Sequence, residues 1–210
     1  MQLGTLLSLA AAGAILPVSG LVTPRAPEQG IQAHPEGGFV FPRDSPDGTY
    51  LFAYDESGRV LNQTFTALDP RRDRVTVAAR AAIGPRQFAL PPASYLRCWG
   101  SQLPEGDWNL AWHFFAFERC KPFDPEEGFD GTNLPPGPNI GLGHRVGGAV
   151  AWMCSKAPRS NKCYGNEYDE WVHLFSRQCG GLTTGWCDYD GLGRAYGRNL
   201  ASEPWCKSGN

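Results

Sequence analysis

The stretch VGGAVAWMCSKAPRSNKCYGNEYDEWVHLFSRQCGG, residues 146–181, decides what kind of fold this chain makes. Its first part, VGGAVAWMC, is an unbroken apolar run that follows two glycines, and it reads as a buried strand. The last part changes period. Tyr168, Trp171, Val172, Phe175 and Cys179 fall at i, i+3, i+4, i+7 and i+11, a single apolar stripe along a helix. Asn166 stands where an N-cap belongs, and Glu167, Asp169 and Glu170 place negative charge in the first turn, where the helix dipole favours it. Gly180 supplies a left-handed stop. The class predicted is α+β, mostly antiparallel strands with one main helix over about residues 167–179.

Towards the N-terminus, GTYLFAY and RVLNQTF flank DESG, a hairpin signal. RVTVAAR and RQFAL are further short strand candidates. In GDWNLAWHFFAFERC, Trp108, Leu110, Trp112, Phe114 and Ala116 recur at every second position, which predicts a long strand. Residues 121–143, rich in Pro and Gly and carrying scattered acids, read as a long loop. Those acids do not follow EF-hand spacing. The tail GWCDYDGLGRAYGRNLASEPWC reads as turns and short extended pieces.

The chain has 210 residues and a formal net charge of -2, enough length for one domain and too little charge to argue for nucleic acid or an anionic membrane. The basic run Arg71-Arg72-Asp73-Arg74 is broken by an acid. Residues 1–20 are apolar from Leu3 to Leu16 and end in small residues, as a signal peptide does. The stretch is short for a membrane span, which needs about 20 apolar residues. The expected organisation is a leader over 1–20, a flexible N-terminus over 21–36 and one secreted domain over 37–210.

All seven cysteines lie in the second half, with no C-x-x-C pair, so disulfides are expected rather than a zinc site. Trp99, Trp152, Trp186 and Trp205 each stand within two residues of a cysteine, which suits rings packed over sulfur. Asn62-Gln63-Thr64 is an N-glycosylation sequon. No metal and no cofactor is expected.

Two glycine-rich stretches, GLGHRVGG at 141–148 and GLGRAYGR at 191–198, resemble phosphate-binding loops. Their spacing is G-x-G-x-x-x-G, and neither leads from a strand into a helix, so both read as turns before a strand. Arg145, Arg194 and Arg198 beside them, with Asp190, are the candidate binding residues. For acid–base chemistry the candidates are His173 with Glu170 one turn away, and Asp188. His144 next to Arg145 would suit a phosphodiester. Asp188, Asp190 and Trp186 together would suit carbohydrate.

The order VAWMC, KC, an acidic and aromatic helix, QCGG, GWC, YGR and PWC, over about residues 147–206, resembles small secreted cysteine-rich proteins of filamentous fungi, many of them effector-like. That group carries no catalytic signature. The resemblance implies that Cys187, after GW, is the unpaired thiol, with Cys98–Cys120, Cys154–Cys163 and Cys179–Cys206 as the simplest bridges. The leader, the clustered cysteines, the Trp–Cys neighbours and the lack of an assignable catalytic set predict an extracellular, non-catalytic binding or effector-like protein whose partner is a host or microbial target, carbohydrate being one candidate. The alternative is a small secreted hydrolase of glycan or RNA using a pair such as Glu170/His173.

Overall fold

The computed structural model of the chain describes residues 30–35, 37–42, 44–69, 90–121, 123–124, 129–135, 139–156 and 162–206. The leader, the basic run at 71–74, the strand candidate RVTVAAR and all of RQFAL except Leu90 lie outside the described residues.

Seven strands and two helices carry the fold. In chain order they are β1 (Gly48–Tyr54), β2 (Val60–Ala67), β3 (Tyr95–Gln102), α1 (Glu105–His113), β4 (Ile140–Val146), β5 (Ala149–Ser155), α2 (Gly165–Cys179), β6 (Thr183–Tyr189) and β7 (Arg194–Leu200). The strands form one sheet in the order β2-β1-β4-β5-β7-β6-β3. Every pairing in it is antiparallel. The architecture is therefore α+β, with three disulfides as staples.

β5 shows why the apolar run of the opening stretch is buried on both faces. Ala149, Ala151 and Met153 point into a core shared with the two helices. Val150, Trp152 and Cys154 point into a second core on the other side of the sheet. Each helix lies on the first side, α1 over β4 and β5, and α2 over β6. The second side is closed by residues 30–35 and 37–42 and by the C-terminal segment, which pair through Phe39 N–H to Trp205 O and Trp205 N–H to Phe39 O, both 2.8 Å. Ile31 is buried there, and Gln32–Ala33 pairs with Phe39–Val40, so residues 30–35 belong to the fold rather than to a flexible terminus.

The second core is aromatic, and glycines make room for it. A Cβ on Gly143 would lie 2.6 Å from the Trp205 ring; one on Gly141 would meet Phe52, and one on Gly197 would overlap Trp152. These three glycines sit inside β4 and β7, not in turns before them as the sequence suggested. Gly147 and Gly193, at φ +51° and +61°, do make turns, where a left-handed residue costs a Cβ dearly.

Two expectations need correction. Residues 105–119 are helical: α1 runs on into a π-helical stretch, Phe114–Arg119. The alternation of large residues suggested a strand, but Trp108, Ala111 and Phe115 stand at i, i+3 and i+7 and are all buried, while Leu110 is exposed. Pro104 followed by Glu105 and Asp107 in the first turn is a helix start. The loop over 121–143 is also interrupted. Phe123–Asp124 pairs with Phe129–Asp130, Thr132–Asn133 pairs with Lys162–Cys163, and β4 already begins at Ile140.

Candidate functional site

α2 forms where its stripe requires, but its N-cap is Tyr164, two residues before Asn166, and no side chain caps it. Tyr168, Trp171, Val172 and Phe175 are buried. Glu167 is not a surface charge favouring the dipole. It is 2% exposed and accepts from Arg194 NH1 at 2.7 Å, while Tyr196 O–H donates to its other oxygen. Burial pushes the Tyr196 phenol well above its ordinary range, with the Glu167 charge adding to it. Arg194 is thus a tie between α2 and β7.

Arg198 is fully enclosed and does a similar job at the other end of α2. Its Nε donates to Thr183 O at 2.7 Å, NH1 to Ser176 Oγ at 2.9 Å and NH2 to Gly180 O at 2.5 Å. The guanidinium lies 4.8 Å from the centre of the Phe175 ring and 5.3 Å from that of Trp108. Burial lowers its pKa to about 10, so it stays charged at neutral pH and serves the negative end of the helix.

His173 is half exposed, and the carboxylate nearest it is Asp169, at 3.8 Å and i–4 on the helix. Glu170 is not its partner in the pair that the structure builds. Trp112 from α1 meets the His173 ring edge-on at 5.8 Å. Burial raises the Asp169 pKa, an effect that the charge of His173 opposes. Asp188 lies on the second-core side of β6, is 4% exposed and is paired with Lys156. The Asp188 charge also contributes, behind burial, to raising the Tyr54 phenol to about 12. Asp190 is exposed in the turn between β6 and β7, its N–H donating to Ser94 Oγ at 2.9 Å. Asp188 and Asp190 therefore do not share an accessible surface with Trp186, which is 1% exposed.

His144 and Arg145 are adjacent in β4 and so point to opposite sides of the sheet. His144 is enclosed under the Phe114 ring, with Nδ1 2.8 Å from Thr49 Oγ1. A joint action on a phosphodiester is excluded by that alternation.

Arg145, unlike the enclosed Arg198, faces an opening. It lines a cleft of about 590 Å³, between the β4–β5 hairpin turn, residues 40–42 and the chain just after β7. Its walls are Val40, Phe41, Pro42 and Leu200, and His34, Ser202 and the main chain of Gly147 and Gly148 complete it. The guanidinium is held in place: Nε donates to Gly147 O at 3.2 Å, NH1 donates to Ser45 O, and the group stands 6.0 Å from the centre of the Phe41 ring. Nothing in the sequence joined residues 34–42 to this hairpin, because the cleft is made by the return of the C-terminal segment.

The bridges are Cys98–Cys179, Cys120–Cys163 and Cys154–Cys206. None of the expected three occurs. Pairing each cysteine with a near neighbour along the chain ignored the sheet order, which sets β3 beside β6 and the last residues across β5. Cys187 is unpaired and buried, its thiol pushed up to about 11 by burial. Among the described residues no three or more His, Cys, Asp or Glu side chains gather as a metal site, and no helix is long and apolar enough to cross a membrane.

Comparison with protein-family models, curated protein sequences and solved structures finds no match for this chain.

Proposed function

We propose that this is a secreted, non-catalytic binding protein of effector type, acting outside the cell on a host or microbial target. The Arg145 cleft carries the reading. Its volume falls within the roughly 300–1,000 Å³ of small-ligand sites, and its wall residues are fixed by the sheet and by both ends of the chain's described course. Oxidised cysteines support an extracellular setting. So does the sequon: Asn62 and Thr64 are both exposed on one face of β2, which pairs with β1 alone among the described residues. Glycosylation at Asn62 would cover that open edge.

Production in a eukaryotic secretory host tests this. The expected product lacks residues 1–20 and carries a glycan mass that disappears in Thr64→Ala. A cytosolic, unprocessed product would overturn the secretion reading.

The second reading, a small hydrolase, draws on one observation: an exposed imidazole beside a half-buried carboxylate, the arrangement of an oriented general base. In this reading Asp169, rather than Glu170, orients His173. Incubation with RNA and a set of glycans separates the two readings. Turnover abolished by both His173→Ala and Asp169→Asn would overturn the non-catalytic reading; no turnover is the result expected.

A further inference from the structure

The amides that a phosphate would use at the β4–β5 turn are already taken. Gly147 N–H donates to Asp47 Oδ1 at 2.9 Å, and Gly148 N–H donates to Asp107 Oδ2 at 2.8 Å. Arg145 Nε lies 4.0 Å from the same Asp47 oxygen. The glycine loop is thus an anion cradle filled by the protein's own carboxylates. An incoming phosphate or sulfate would find its amides occupied, its cation answered by Asp47 and a second carboxylate close behind. Electrostatics there argues against an anion.

What the cleft does offer is directed donors without net positive charge. Arg145 has five N–H donors in a fixed plane, and the bonds to Gly147 O and Ser45 O use only part of them. Phe41 lies beneath it, and Val40, Pro42 and Leu200 make apolar walls, with Ser202 and His34 at the rim. The shape is built in advance, because Ala201 N–H donates to Gly148 O at 2.8 Å and locks one wall to the other. We infer that the Arg145 cleft takes a neutral, hydroxyl-rich ligand of mono- or disaccharide size. The ring's apolar face would lie along Val40 and Pro42, and its hydroxyl oxygens would accept from the guanidinium. This rests on the binding-protein reading above and names the ligand class for the same site. It moves the carbohydrate contact away from Asp188 and Asp190.

The test is calorimetry and ligand-observed NMR on the intact secreted protein. The probes are cellobiose, maltose, chitobiose and mannobiose, with glucuronate and inorganic phosphate as the charged arms. Ser202→Trp fills the mouth from an exposed position, so it leaves the fold intact; Arg145→Lys keeps the charge and removes the planar fork. At least one neutral sugar is expected to bind, weakened about tenfold or more by Ser202→Trp and by Arg145→Lys. Its affinity is expected to change little between low and high salt. Failure of every neutral sugar at tens of millimolar, or binding of phosphate or glucuronate that falls steeply with salt, overturns the inference. A peptide or protein captured by the wild type and lost in Ser202→Trp would overturn the sugar class while leaving the binding-protein reading standing. Turnover of a sugar would overturn that reading instead.

Discussion

His144 lies on the helix side of β4, enclosed by the Phe114 ring and tied only through Nδ1 to Thr49. Burial, helped by the charge of Arg119, lowers its pKa to about 3 from an ordinary 6.5. The unfolded ring takes up a proton near pH 6.5, and the folded ring only near pH 3, so between them the unfolded state binds more protons. The stabilisation is complete above about pH 6.5 and is lost as pH falls towards 3, at no more than about 1.4 kcal/mol per pH unit. Urea midpoints from pH 7 down to 4 should therefore fall more steeply for the wild type than for His144→Gln. Parallel profiles would show that this imidazole plays no part in acid sensitivity. Adjacent in sequence, His144 and Arg145 illustrate what residue types alone leave open: the period of the strand, not their chemistry, assigns one to the core and the other to a cleft.

At the scale of elements, α2 was legible because its stripe, its acidic start and its glycine stop all agreed. The segment over 105–119 was not, because bulky residues on both parities mask the i, i+3, i+7 set that is buried. The acids hid a second feature. A first-turn glutamate reads as dipole stabilisation, yet Glu167 faces inward to Arg194 and Tyr196, and only the pairing of β7 beside β5 brings them together. A buried ion pair is costly to leave half-made. Glu167→Gln should destabilise the protein by about 3–5 kcal/mol, since it removes the carboxylate charge paired with the buried guanidinium. The double variant Glu167→Leu with Arg194→Met should be clearly less destabilised than Glu167→Gln alone, by urea unfolding. A double variant as unstable as the sum of its singles would mean that the two side chains act separately.

The whole molecule is one sheet between two cores, and each disulfide binds a different part of that sandwich. Cys154–Cys206 holds the C-terminal segment over the aromatic side, Cys120–Cys163 joins the end of the π-helical stretch to the start of α2, and Cys98–Cys179 clamps the end of α2 to the sheet edge at β3. Which cysteines meet is a property of strand order, and that order was invisible in a sequence whose strands were found one at a time. Exposure then ranks the bridges. Cys98 is exposed and Cys179 half-buried, whereas both sulfurs of each of the other two bridges belong to buried residues. Thiol–disulfide exchange needs a thiolate to reach a sulfur in line, so accessibility controls the rate. Under mild reductant without denaturant, alkylation followed by peptide mass analysis should label Cys98 and Cys179 first. Cys187 should stay unlabelled while the fold persists, being enclosed and held protonated by a thiol pKa of about 11. The core should survive that first step, because the bridge it opens lies at a strand edge and the aromatic side keeps its own staple. Early labelling of Cys154 or Cys120, or of Cys187 in the oxidised native protein, would contradict this ordering of the three bridges.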